Sequence, residues 1–150
     1  AAILGSSELK QYLINFSRPL IYTTGLPPYN LATIKIAYDQ LNSKVQDKVY
    51  EVEKLRFNIQ CFQSEIKRLQ LNQFIDSDSA IQSCIIAGNS KVKKISERLK
   101  QKGYDVKPIL SPTVPLGKER LRFCLHSFNS KKQISDVLQS LAIFVKDANI

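Results

Sequence analysis

Apolar residues recur along this chain in two rhythms, and the change from one to the other divides it. Leu9, Leu13 and Phe16 lie about a helical turn apart behind Ser6 and Ser7, either of which can cap, so a short helix is predicted to about Asn15. Leu31, Ile34, Ala37, Tyr38 and Leu41 keep that spacing and predict a helix from Asn30. Between the two, "PLIYTT" reads as a short strand or extended segment. "GLPPY" reads as a break, because Gly25 frees the backbone and Pro27 and Pro28 deny a ladder its N–H groups. A long helix over residues 44–71 is predicted by Val45, Val49, Val52, Leu55, Ile59, Phe62, Ile66 and Leu69, with Glu51, Glu53, Lys54 and Arg56 on its wet side. The opening "AAIL" is strand-like, and "NQFIDSDSA" is a polar connection.

The second half alternates strand and helix. "AIQSCIIAG" reads as a buried strand. Ser90 is placed to cap the next helix, Val92, Ile95 and Leu99 face inward, and Gly103 ends it. "YDVKPIL" is a strand that Pro108 shortens or moves to an edge. In "RLRFCLHSF" a period of two puts Leu121, Phe123 and Leu125 on one face and Arg120, Arg122 and Cys124 on the other. "SKKQ", from Ser130 to Gln133, is a capping box opening a last helix with Ile134, Val137, Leu138, Leu141 and Val145 on its apolar side. The fold class is therefore α/β: a small sheet with helices packed on it, preceded by long helices.

Composition narrows the picture. A chain of 150 residues, 43% hydrophobic, can bury a core without staples. No apolar run approaches the roughly 18 residues of a membrane span, and the start lacks the basic and apolar regions of a secretory signal. The expectation is a cytoplasmic protein with no membrane partner. Three separated cysteines and a single histidine suit neither a zinc site nor a disulfide framework, so no metal is expected. His126 has no acid or nucleophile beside it in sequence and reads as structural. The absence of methionine, even at position 1, together with the abrupt strand-like opening, reads as the mark of a piece of something longer.

The net charge of +9 favours anionic partners without choosing among them. Lys91, Lys93, Lys94, Arg98, Lys100 and Lys102 could meet nucleic acid, but no aromatic residue interleaves with them, and a solvated helix face accounts for them as well. In "PTVPLGKERLR" two prolines stiffen a loop that runs into Arg120 and Arg122. These arginines read either as the solvent side of an edge strand or as a fork for a carboxylate or phosphate, with Thr113 beside it. In "IYTTGLPP", Thr23 and Thr24 precede a glycine turn and could hold a phosphate, or simply form an ordinary turn; no lysine follows in the register of a phosphate loop.

Three stretches join these signals. "YLINFSRPLIYTTGLPP", over residues 12–28, "SAIQSCIIAGNS" and "KPILSPTVPLGKERLRFCLHSFNS", over residues 107–130, resemble in order the α-oxoamine synthases, and among them the biotin-pathway branch. The resemblance covers nearly the whole chain. It implies pyridoxal 5'-phosphate (PLP) enzymes of the aspartate-aminotransferase-like fold, working as homodimers and not on nucleic acid. They join an amino acid to an acyl thioester with loss of CO2. For this branch the pair is L-alanine and pimeloyl-CoA, or the thioester on acyl-carrier protein. Glycine C-acetyltransferase, serine palmitoyltransferase and 5-aminolevulinate synthase are siblings with the same chemistry. A basic α/β module binding RNA is the reading of a different class.

The resemblance assigns substrate binding to Arg122, at the carboxylate, and to Thr113, with Arg120 supporting. It assigns the cofactor phosphate of the neighbouring subunit to Thr23 and Thr24. It implies that residues 1–42 are the end of the large domain and an interdomain or dimer segment. Residues 43–150 would form the C-terminal small domain, built on a three-stranded, largely antiparallel sheet. No lysine here occupies the family's Schiff-base position, which falls before Ala1 together with the aspartate and histidine that serve the ring. The chain alone is therefore expected to be inactive and to bind the cofactor weakly. Gly25 departs from the commoner alanine or serine and loosens the phosphate turn.

Overall fold

The computed structural model describes residues 3–42 and 46–147. The chain divides into two units, Ala1–Ser43 and Lys44–Ile150.

The second unit is a three-stranded antiparallel sheet with helices on one face. Its strands are β1 (Ile81–Ile85), β2 (Lys107–Ile109) and β3 (Arg120–Cys124), in the order β1–β3–β2. As expected, Pro108 lies on an edge strand, where its missing N–H costs no central ladder bond. β3 is the central strand, so its arginines do not sit at a sheet edge. Gln82 and Cys84 of β1 and Leu121 and Phe123 of β3 are buried on the helix side. Phe62, Phe74 and Phe123 form an aromatic triangle with centroids 5.5, 5.5 and 5.6 Å apart. Phe74 reaches it from the predicted polar connection through an isolated bridge to Cys84.

Three helices complete the core: α4 (Gln46–Arg68), α5 (Asn89–Gln101) and α6 (Lys131–Asp147). The predicted apolar stripe of α4 is buried or half-buried from Leu55 to Leu69, whereas Val52 stays exposed; Val45 lies outside the described residues. α4 ends earlier than predicted, because Gln70 turns to φ +54° and the Leu71 N–H reaches back to the Ile66 carbonyl at 3.1 Å. α5 buries Val92, Ile95 and Leu99 and ends in the same motif, with Gly103 at φ +88° and Tyr104 N–H on the Leu99 carbonyl at 3.0 Å. Its start differs from expectation. Gly88 is the N-cap, at φ +100°, and no side chain caps; Ser90 is already inside the helix. The capping box of α6 forms as read: Gln133 N–H donates to Ser130 Oγ at 3.2 Å, and Ser130 N–H to Gln133 Oε1 at 2.9 Å.

The first unit holds α1 (Ser7–Phe16), α2 (Arg18–Ile21) and α3 (Pro28–Asn42). Ser6 caps α1, its hydroxyl accepting the Leu9 N–H. "PLIYTT" is not extended: its first residues form α2, since Pro19 sits in the first helical turn, where a fixed φ and a missing N–H suit a helix start. Proline is accepted at the start of α3 for the same reason, which moves that helix two residues ahead of Asn30. Ile3 and Leu4 belong to no element, and the rest of the strand-like opening lies outside the described residues. No described residue of this unit is buried, and Tyr12, Phe16, Tyr22 and Tyr29 are exposed.

Candidate functional site

Alternation on β3 determines which way its arginines point. Leu121 and Phe123 belong to the core, so Arg120, Arg122 and Cys124 must occupy the opposite face. Arg122 faces Ser83 on β1 and Lys107 on β2; Arg120 faces Ile85 and Ile109. Arg120 is half-buried, and its Nε donates to the Lys118 carbonyl at 3.0 Å. The Lys107 ammonium is paired with Asp105 at 2.8 Å. The Arg122 side chain is exposed and makes no hydrogen bond or ion pair with any described residue. A guanidinium in that state offers its whole donor fork to an incoming carboxylate or phosphate. With Lys107, His126, Gln133, Phe123 and Val137, Arg122 lines a cavity of about 460 Å³, part polar and part apolar. His126 stacks on Phe128 with centroids 4.8 Å apart.

Thr113 is exposed in the loop that leaves β2 after Ile109 and enters β3 at Arg120. It does not line the Arg122 cavity. Arg122 stands two rows farther along the sheet than the Ile109–Arg120 pair from which the loop departs. The Ser111–Pro112 peptide is cis. Both ends of the loop are tied to the first residues of α5. Ser111 N–H donates to Asn89 Oδ1 at 3.0 Å, and Asn89 Nδ2 returns a bond to the Ser111 carbonyl at 3.3 Å. Glu119 Oε2 accepts Gly88 N–H at 3.0 Å and Gly117 N–H at 2.9 Å.

Glu119 is fully buried, and its Oε1 has no partner among the described residues. The Gly88 N–H, helped by the residue's own N–H and that of Gly117, holds its carboxyl below the ordinary carboxylate value, against the upward push of burial. Sequence reasoning passed over Glu119 and Asn89. For Glu119 a signal existed, since it shares the parity of Leu121, Phe123 and Leu125 and so projects a charge onto the apolar face. Asn89 carried no such mark.

Thr23 and Thr24 belong to the first unit and are exposed. The Thr23 hydroxyl donates to the Thr24 carbonyl at 3.4 Å, while the Thr24 and Gly25 N–H groups bond to no described residue. A Cβ built on Gly25 would meet nothing within 4 Å, so the turn is open around it. Two hydroxyls and free amides form a donor set that fits a phosphate.

The basic α5 face is partly used in packing. Arg98 pairs with Asp147 at 2.9 Å and lies 3.7 Å from the Phe144 ring centroid, and Lys102 bonds Ser140 at 3.1 Å. Among the described residues no group of three or more His, Cys, Asp or Glu could hold a metal, and no helix is long and apolar enough to cross a membrane.

Comparison with known proteins places the chain in a family. Residues 1–141 match the family model of aminotransferase class I and II. The chain is 40% identical, over 142 residues, to an 8-amino-7-oxononanoate synthase of Hydrogenovibrio crunogenus, covering 95% of itself and 34% of that protein. It superimposes with a TM-score of 0.74 and 28% identity on the crystal structure of 8-amino-7-oxononanoate synthase from Francisella tularensis, covering 97% of itself and 41% of that chain. A serine palmitoyltransferase of S. paucimobilis, solved with PLP and myriocin, shares the fold at a TM-score of 0.72 and 20% identity, over 93% of this chain and 34% of that one. The chain thus spans about a third of the length of the curated relatives it matches.

Proposed function

The chain belongs to the aminotransferase class I and II family, and on that premise we propose that it forms the C-terminal part of a PLP-dependent acyltransferase of the 8-amino-7-oxononanoate synthase type. That enzyme condenses L-alanine with a pimeloyl thioester, carried on CoA or acyl-carrier protein, and releases CO2. The observation that carries the reading is Arg122, an exposed guanidinium on the central strand with no partner among the described residues.

Each residue has one task in this reading. Arg122 binds the amino-acid carboxylate through two parallel N–H···O bonds, which sets the orientation of the substrate as well as holding it. Thr113 lies outside the Arg122 cavity and is assigned to the substrate site on the resemblance of its loop alone, and Arg120, anchored on the Lys118 carbonyl, braces the strand beside Arg122. Thr23, Thr24 and the free amides of their turn receive the phosphate of PLP on the neighbouring subunit of a homodimer. PLP, when bound, supplies the electron sink for bond changes at the amino-acid Cα. The residues that carry its ring lie in the rest of the protein, so the 150 residues alone do not turn over. A net charge of +9 suits a polyanionic CoA substrate, and the whole works in the cytoplasm.

The test uses the full-length protein. Arg122→Ala is expected to lower kcat/KM for the amino acid by about a hundredfold or more, since it removes two charge-assisted hydrogen bonds. Arg122→Lys is expected to recover only part of the loss, because an ammonium lacks the planar fork. Unchanged turnover and amino-acid KM in Arg122→Ala would overturn the assignment. Assays pairing alanine with a pimeloyl thioester, against glycine with short acyl-CoAs, separate this reading from its siblings.

A further inference from the structure

We propose that Asn89 and Glu119 are positioning residues for the substrate site: they clamp the two ends of the 111–119 loop onto the start of α5 and so fix where Thr113 stands. The inference rests on the reading of Arg122 and Thr113 given above.

Packing holds this loop at Glu119, and partly at Ser111 and Val114, but not along most of its length. Pro112, Thr113, Pro115 and Leu116 are all exposed, and Leu116 keeps 85% of its surface in solvent. Internal bonds from Val114 N–H to the Leu110 carbonyl and from Lys118 N–H to the Pro115 carbonyl, at 3.1 and 2.9 Å, shape the turns but tie the loop to nothing outside itself. Its external side-chain attachments run to two consecutive residues, Gly88 and Asn89, and one backbone bond, from the Ile86 N–H to the Glu119 carbonyl at 2.9 Å, joins its last residue to the end of β1. The Asn89 amide meets the Ser111 peptide reciprocally, donor to acceptor and acceptor to donor, a pairing that resists both sliding and rotation. At the other end one carboxylate oxygen gathers an N–H from the loop and an N–H from the helix start.

A purely structural role would not need a charge at position 119. Burying a carboxylate with one oxygen unpartnered is costly, and an apolar side chain would fit the parity of the strand. The charge is sustained because Gly88 is the N-cap of α5, whose first turn has no acidic residue, and the helix dipole presents its positive end there. Glu119 therefore ties the N-cap residue of α5 and the loop together with the same atom. Gly88 and Gly117 both adopt positive φ, which aims their N–H groups at that atom without a Cβ penalty. A side chain in a binding site must be held to within a fraction of an ångström, and an untethered surface loop is not.

The test compares Asn89→Ala, Glu119→Gln and Arg122→Ala in the full-length, cofactor-loaded protein. Asn89 is exposed, so its truncation threatens the fold least. Amide exchange of the peptide spanning residues 110–119 is expected to rise about tenfold in Asn89→Ala, the loss of roughly one net hydrogen bond. The amino-acid KM is expected to rise by a similar factor, with kcat within roughly threefold and the bound-cofactor absorbance unchanged. Glu119→Gln keeps an acceptor oxygen without its charge and is expected to show a smaller rise in both. Exchange that stays at the parent rate would overturn the clamp. Faster exchange with an unchanged KM would overturn the positioning role. If Arg122→Ala alone raises KM, the site reading survives and this inference fails; if it too leaves KM unchanged, the site reading itself is wrong.

Discussion

Lys107 on β2 stands directly opposite Arg122 on β3, so two cations share one row of the sheet, with Ser83 completing it on β1. Directly opposed side chains have Cβ atoms about 5 Å apart, close enough for like charges to repel. Asp105 draws the Lys107 ammonium into an ion pair, and Arg122 is left without a partner among the described residues. Reversing the charge at 107 should end that vacancy. Lys107→Glu is expected to capture the Arg122 fork across the strands and raise the amino-acid KM of the full-length protein about tenfold, while urea stability moves by no more than about 0.5 kcal/mol. Steady-state kinetics and a denaturation curve read the two effects separately.

Gln70 and Gly103 occupy the same position in the same helix-ending motif, at φ +54° and +88°. Only glycine takes that conformation without a Cβ clash. The Gln70 side chain is exposed and makes no hydrogen bond, so nothing is lost with it. Gln70→Gly is expected to raise unfolding stability by about 0.5–1 kcal/mol, read as a higher urea midpoint at constant slope.

Asn58 is a buried hub. Its Nδ2 donates to the carbonyls of His126, Ser127 and Asn129 at 3.0, 3.4 and 2.9 Å, binding the turn before α6 to α4. Removing it takes the side-chain donor from three part-buried carbonyls, of which that of His126 keeps the Asn129 N–H at 3.2 Å. Asn58→Ala is expected to cost about 2–3 kcal/mol by chemical denaturation. Asn58→Asp should do no better, since a carboxylate would face three carbonyl oxygens.

Glu119 gives the fold an acid sensitivity. Its folded value lies below its ordinary 4.5, chiefly through the Gly88 N–H, so the folded state releases the proton more readily than the unfolded chain. Its contribution is then complete above 4.5 and is lost as pH falls through the folded value. Glu8 and Glu65 are shifted the same way, so the comparison with a variant isolates Glu119. The urea midpoint of Glu119→Gln is expected to fall less steeply than that of the parent as pH drops below about 4.5. Parallel curves would contradict the bonding at Gly88 and Gly117.

Period and punctuation along the chain were enough to find the elements of the second unit. The alternation of "RLRFCLHSF" names its buried face, and "SKKQ" names a helix start, because both depend on residues close in sequence. Errors arose where a partner lay far away or a proline had two uses. "PLIYTT" looks extended, yet Pro19 falls in a first turn and α2 forms. Ser90 looks like a cap, yet the N-cap N–H, that of Gly88, is held by Glu119, thirty-one positions away, and the helix begins two residues earlier.

The candidate site divides along the same line. That Arg120 and Arg122 share a face follows from the sequence alone, since strand geometry is local. That β3 is central, that Lys107 stands beside Arg122, and that Asn89 and Glu119 hold the threonine loop required the tertiary structure. Strand order and register bring together residues whose separation in sequence no local pattern records. A hydrogen bond across such a distance depends on how the sheet and α5 pack against each other.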